Sequence, residues 1–129
     1  MVVPRFVASA IEGRDLTVYG TGEQSRCFCH VFDTVRALLA LAECPESYGK
    51  IYNIGSQERV TIQELAERII DQLQSGSKIQ KISYDEAYEK GFEDMMHRLP
   101  DIDAIHELLG WTPEFCLEDI INDVANSLK

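Results

Sequence analysis

Two arginines are the residues of this chain best suited to holding a ligand. The guanidinium of Arg26 presents a planar fork of N–H donors that matches a phosphate, and one charge-assisted hydrogen bond of this kind contributes roughly 1.5 to 3 kcal/mol. The competing reading is a surface ion pair with Glu23 or Asp33. Arg98 is one of three basic residues between Asp85 and Lys129, against twelve acidic ones, so a cation there has a designated partner, which from the residues alone is the carboxylate of Asp94 or Asp101. Cys27, Cys29 and His30 invite a metal reading. On a strand, however, C-x-C-H puts both thiols on one face and the imidazole on the other, and no second ligand pair completes a tetrahedral set. Acid-base chemistry of the reductase kind has no carrier: there is no G-x-x-G-x-x-G loop, and none of the five tyrosines has a lysine four residues later.

These residues must be positioned by short elements. Pro4 at a first helical position, Phe6, Val7, Ala10 and Ile11 at helical spacing, and Gly13 as a stop predict an opening helix. Leu16-Thr-Val-Tyr19 and Cys27-Phe-Cys-His-Val31 predict two strands around Gly20-Thr-Gly22. Asp33 precedes Val35, Leu38, Leu39 and Ala42 and is expected to cap a helix that ends before Pro45. Residues 50 to 54 predict a further strand. The strongest signal is Ile62, Leu65, Ala66, Ile69, Ile70 and Leu73 on one helical face. Thr61 and Glu64 make its capping box, Val60 and Leu65 a hydrophobic staple, and Ser75-Gly-Ser77 its exit. Residues 79 to 84 predict a strand, and 85 to 100 a long acidic loop. Asp101 is expected to cap a helix through Ile102, Ile105, Leu108 and Leu109. A last helix runs through Leu117, Ile120, Ile121, Val124, Ala125 and Leu128, with Cys116 a poor acceptor at its start. Strands alternating with helices predict an α/β fold.

The composition fits that reading. With 129 residues, 45% hydrophobic and 26% charged, the chain is expected to hold one domain or part of one. A net charge of −10 disfavours nucleic acid and anionic membrane surfaces as partners. Apolar runs such as Ala37 to Ala42 are far short of a membrane span, and no signal core opens the chain, so the protein reads as cytosolic and its four cysteines as reduced thiols.

Seven segments, taken in order, resemble one known family. They are Met1-Val-Val-Pro-Arg-Phe-Val7, Leu16-Thr-Val-Tyr-Gly-Thr-Gly22, Gln24-Ser-Arg-Cys-Phe-Cys-His-Val31 with Asp33, Tyr52-Asn-Ile-Gly55, Val60-Thr-Ile-x-Glu-Leu-Ala66, Arg98-x-Pro-Asp-Ile102 and Leu109-Gly-Trp-x-Pro113. Together they are similar to the C-terminal, substrate-binding part of extended short-chain dehydrogenase/reductases, the NAD-dependent nucleotide-sugar epimerases, dehydratases and UDP-glucuronate decarboxylases.

The resemblance implies short strands with about five helices and no complete Rossmann domain. It implies that residues 1 to 129 bind a UDP- or dTDP-sugar, with Arg26 and Arg98 on the diphosphate. Leu16, Val18 and Tyr19 are implied to frame the base, with Val2, Val3 and Phe6 as candidates for its other side, and Asp101 lies near the ribose or caps the next helix. Cys27 departs from the Asp or Ser common at its position. The family's NAD loop and Tyr/Lys pair have no counterpart here, so the resemblance implies NAD in a parent enzyme acting through a 4-keto sugar, with no catalytic, cofactor-binding or metal residue in this chain and no turnover by it alone. It further implies that residues about 31 to 55 pack on the NAD-binding half. Leu38, Leu39, Leu41, Ile51 and Ile54 are therefore expected to form an exposed apolar patch that favours a homo-oligomer. The alternative reading is a non-catalytic module that binds a nucleotide sugar or a partner protein.

Overall fold

The computed structural model describes residues 1–83 and 95–128. They pack as two units: Met1–Arg26, Val60–Arg98 and Ile121–Lys129 form one, Cys27–Arg59 and Leu99–Ile120 the other.

In the first unit, Val3, Phe6, Val7 and Ala10 give α1 (Val2–Ile11) its buried stripe. Pro4 lies in its first turn, where no backbone donor is needed. Gly13, at φ +67°, turns the chain away, and the Ala10 carbonyl at the helix end accepts from the Gly13 amide (3.3 Å) and from the Ser75 hydroxyl (2.8 Å). β1 (Leu16–Tyr19) buries Leu16 and Val18 completely. The chain passes through β2 (Ser25–Cys27) into the second unit and returns at β3 (Arg59–Thr61). β2 and β3 form a two-stranded sheet.

α3 (Ile62–Gln72) carries the expected capping box. The Thr61 hydroxyl accepts from the Glu64 amide at 3.1 Å and the Thr61 amide donates to Glu64 Oε2 at 2.8 Å. Its next two amides are served from the loop after β1, Ile62 donating to the Gln24 carbonyl and Gln63 to that of Gly22, each at 3.0 Å. The chain leaves α3 through Gln74 at φ 49°, one residue ahead of the expected Ser-Gly-Ser exit. α1 packs on α3 and on β1. β4 (Ile79–Ile82) then pairs parallel with β1 in the register Leu16↔Ile79 to Tyr19↔Ile82, with α3 inside the crossover such a pair requires.

The second unit contains α2 (Val31–Ala42), a 3₁₀ turn at Pro45–Ser47, α4 (Asp103–Leu109) and the first turn of α5 (Leu117–Ser127). Its core is Ala37, Ile102, Ile105 and Trp111, with Leu41, Tyr52, Ile54 and Leu109 packed against it.

Local expectations change most in this unit. The β-prone run at Cys27 to Val31 yields a strand only as far as Cys27, because His30 turns the chain into α2. Its Nδ1 accepts from the Phe32 amide at 3.2 Å, and its buried ring stacks on Phe115 at 4.2 Å. His30, not Asp33, is therefore the N-cap. Residues 50 to 54 form no strand. Tyr52 and Ile54 turn into the core while Ile51 stands 94% exposed, and the backbone of this stretch has no ladder partner among the described residues. The Asp101 carboxylate accepts from the Asp103 amide (3.0 Å), one residue ahead of the cap position itself, Ile102. At α5 the Asp119 carboxylate reaches back to the Cys116 amide (2.9 Å) and thiol, and Glu58 takes the Leu117 amide at 3.1 Å. The helix start is thus satisfied without a cap from Cys116 itself. The Cys116 thiol and amide bonds hold the Asp119 carboxyl below its usual value.

Candidate functional site

The first unit contains a cavity of about 280 Å³ lined by Met1, Val2, Arg5, Tyr19, Gln24, Arg26 and Ile62. Each wall follows from the local fold. Arg5 projects from the first turns of α1, Tyr19 ends β1, Gln24 and Arg26 flank buried Ser25 at β2, and Ile62 opens α3. Gln24 is itself buried, with its amide donating to the Tyr19 carbonyl at 3.0 Å, which ties the turn after β1 to the entry of β2.

Arg26 is half-buried. Its Nη1 donates to the carbonyls of Ser25 (2.7 Å) and Met95 (2.8 Å). The segment it reaches is fastened to β2: Ser25 and His97 pair in parallel, the Ser25 amide donates to the Met96 carbonyl at 2.7 Å, and the Ser25 hydroxyl lies 2.9 Å from His97 Nδ1. His97 is thus a tether. Arg26 and Arg98 each follow a residue of this isolated bridge by one position.

The structure brings Arg26, Tyr19 and Val2 to one cavity. Val3 and Phe6, candidates for the same wall, are buried in the core, as are the side chains of Leu16 and Val18. The Leu16 amide is also engaged, donating to the Lys78 carbonyl at 2.8 Å. Arg98 is exposed and is not a wall residue; Asp101 belongs to the second unit. Residues 85 to 94 of the acidic loop, and Tyr84 at the end of the expected strand, lie outside the described residues.

Arg5 and Gln24 enter the cavity without having been singled out from the sequence. Arg5 had a readable signal, being the sole charged residue among the ten of α1. Gln24 had none, because its role depends on the turn that precedes it.

The second unit has its own buried charge. Asp33 is 0% exposed. Its carboxylate accepts from Arg36 Nη2 (2.8 Å), from the Glu114 amide (3.0 and 3.1 Å) and from the Phe115 amide (3.1 Å). Burial works to raise its pKa, but the bonds from Arg36 and the two amides outweigh it and hold the carboxyl below its usual value. Arg36 also donates to the Thr112 carbonyl at 2.5 Å and lies over the Trp111 ring at 5.5 Å. This cluster pins the segment after α4 to α2, a structural task. The Cys27 and Cys29 thiols are held above their usual values, chiefly by burial.

No helix among the described residues is long and apolar enough to cross a membrane. Residues 1–124 match the family model described as GDP-mannose 4,6 dehydratase. The chain is similar to a UDP-N-acetyl-alpha-D-glucosaminuronate decarboxylase of Bacillus cytotoxicus, 39% identical over 117 residues that cover 91% of this chain and 36% of that protein. It is also similar to UDP-glucuronic acid decarboxylase 1 of Xenopus tropicalis, 36% identical over 128 residues covering 99% of this chain and 28% of that one. Among solved structures it resembles the UDP-glucuronic acid 4-epimerase of Bacillus cereus in complex with UDP-glucuronic acid and NAD. The TM-score is 0.85 at 22% identity, over 100% of this chain and 40% of that one. The chain thus spans about a third of the length of these relatives.

Proposed function

The chain belongs to the GDP-mannose 4,6-dehydratase family of extended short-chain dehydrogenase/reductases, and from that membership we propose that it is the nucleotide-sugar-binding portion of an NAD-dependent UDP-sugar decarboxylase or epimerase. The observation that carries this reading is the cavity, whose walls hold Arg26 and Tyr19 and, among the described residues, no carboxylate. In a chain with 22 acidic and 12 basic residues, that is a place suited to an anion. Arg26 donates to the diphosphate, with Arg98, one residue past the bridged His97, reaching it from outside the cavity wall as its second ligand. Tyr19 stands toward the nucleoside, on a strand fixed by the burial of Leu16 and Val18. UDP rather than dTDP is supported by the names of the decarboxylase relatives.

The described residues do not fit a dinucleotide. Gly20-Thr-Gly22 leads from β1 into β2 and not into a helix. A Cβ on Gly22 would meet Val18 Cγ1 at 2.9 Å, so this close approach serves the protein's own core and not a cofactor. NAD, present in solved relatives, belongs in this proposal to the part of the family's length that these residues do not span. What this portion supplies is binding: an anchored diphosphate holds the sugar in one place while chemistry proceeds elsewhere. The exposed apolar face of α2, with Leu38 at 55% and Leu39 at 61% exposed, is assigned to packing on that other part.

The cavity is tested by titrating UDP into the chain by calorimetry. Arg26→Ala is expected to weaken binding at least tenfold, about 1.4 kcal/mol, with an unchanged circular dichroism spectrum. An affinity equal to that of the wild type would refute the assignment. The α2 face predicts that the chain by itself binds a hydrophobic dye, and that Leu38→Glu with Leu39→Glu reduces the fluorescence by about half or more. A dye signal unchanged by the double substitution would place the exposed surface elsewhere.

A further inference from the structure

Arg5 is held in the cavity wall by contacts that leave its charge uncompensated. Nη1 donates to the Tyr19 hydroxyl and Nη2 to the Thr17 carbonyl, each at 3.1 Å. The guanidinium carbon lies 4.8 Å from the centroid of the Tyr19 ring and 5.3 Å from that of Phe6. All of these partners are neutral. Of the five N–H donors of a guanidinium, two are engaged in these bonds, so the group is oriented and still has donors to offer. The partners reach it because β1 runs alongside α1. Thr17 and Tyr19, two apart on the strand, lie on the same face, opposite to that of buried Leu16 and Val18.

Arg26 lines the same cavity. None of the described residues of its wall is acidic, so an anion that enters faces both guanidinium groups. Holding a long cationic side chain in place costs conformational entropy, which the Tyr19 ring and hydroxyl meet before any ligand arrives.

We infer that Arg5 is a further anion-binding residue of this cavity, acting with Arg26 on a phosphate-class group, and that Tyr19 is the positioning residue that presents its guanidinium. One face of the Tyr19 ring is given to Arg5, so that face is not a platform for a base. This inference rests on the reading of the cavity as a nucleotide-sugar site and adds a ligand to it.

The experiment titrates UDP and uridine in parallel into wild type, Arg5→Ala, Arg5→Lys, Tyr19→Phe and Arg26→Ala chains. Arg5→Ala is expected to weaken UDP about fivefold or more and to leave uridine unchanged, with Arg5→Lys recovering part of the loss. Tyr19→Phe keeps the ring and loses only the hydroxyl, so UDP weakens by about two- to threefold. A purely structural role would weaken both ligands together, and that result, or an Arg5→Ala chain that binds UDP as wild type does while Arg26→Ala does not, overturns the inference alone. A wild-type chain that does not bind UDP, or an Arg26→Ala substitution as silent as Arg5→Ala, overturns the reading of the cavity and this inference with it.

Discussion

Asp33→Ala is expected to lower the stability of the second unit by roughly 3 kcal/mol, read as a shift of the urea midpoint of Trp111 fluorescence. The magnitude follows from what is left behind. Asp33 is wholly buried, and removing it leaves the amides of Glu114 and Phe115 without their acceptor and Arg36 with only the Thr112 carbonyl and the more exposed Glu114 carboxylate. Asp33→Asn should cost nearly as much, because one of its two polar atoms becomes a donor facing donors. Trp111 is the only tryptophan and lies in the core of this unit beside Arg36, so its emission follows the affected region. The pH dependence has a definite sign. The carboxyl is held below its usual value in the folded state, so its contribution is fully present above the unfolded pKa of about 4. It is lost as pH falls through the lower folded value. The acid limb of the wild-type stability profile should be shallower in Asp33→Asn. Equal midpoints for wild type and both variants would show that this carboxylate holds nothing together.

What the sequence reveals and what it conceals differ by range. α3 is legible because its apolar period and the Thr61–Glu64 box are both local, and β1 is legible because four β-prone residues end at a glycine turn. Asp33 looks like a cap from its neighbours, whereas the two amides it accepts from are 81 and 82 positions away, beyond any local pattern. Residues 50 to 54 alternate as a strand does, but a strand needs a partner, and here alternation serves only to put Tyr52 and Ile54 inward. The same distinction runs through the site. Arg26 is singled out in the sequence because its residue type and the resemblance of its segment agree, and it lines the cavity. Arg5 is missed because its meaning comes from Thr17 and Tyr19, 12 and 14 positions on. Ser25 and His97 are 72 apart, so the tether between β2 and the segment that carries Arg98 has no trace in either segment alone.

The turn that builds the cavity depends on one close approach, and Gly22→Ala is expected to damage both the fold and the site. Gly22 is at φ +81°, and a Cβ there would meet Val18 Cγ1 at 2.9 Å and Gln63 Cβ at 3.1 Å. Gly13 provides the comparison, since it has φ +67° but nothing within 4 Å of an added Cβ. Gly13→Ala therefore measures left-handed strain alone, roughly 1 kcal/mol. Gly22→Ala adds an overlap with Val18, which is fully buried on β1 and has no room to yield, so roughly 3 kcal/mol is expected in all. Thermal melts followed by helical circular dichroism compare the two. The damage should reach the ligand as well. The Gly22 carbonyl accepts from the first turn of α3 and Gln24 is bonded to Tyr19, so a shift at Gly22 displaces the wall that carries Gln24 and Arg26. UDP affinity should fall in Gly22→Ala below the melting range and remain at the wild-type level in Gly13→Ala. If the two alanine variants melt together and bind alike, the packing of Gly22 against Val18 does not fix the cavity, and the turn is held by its hydrogen bonds alone.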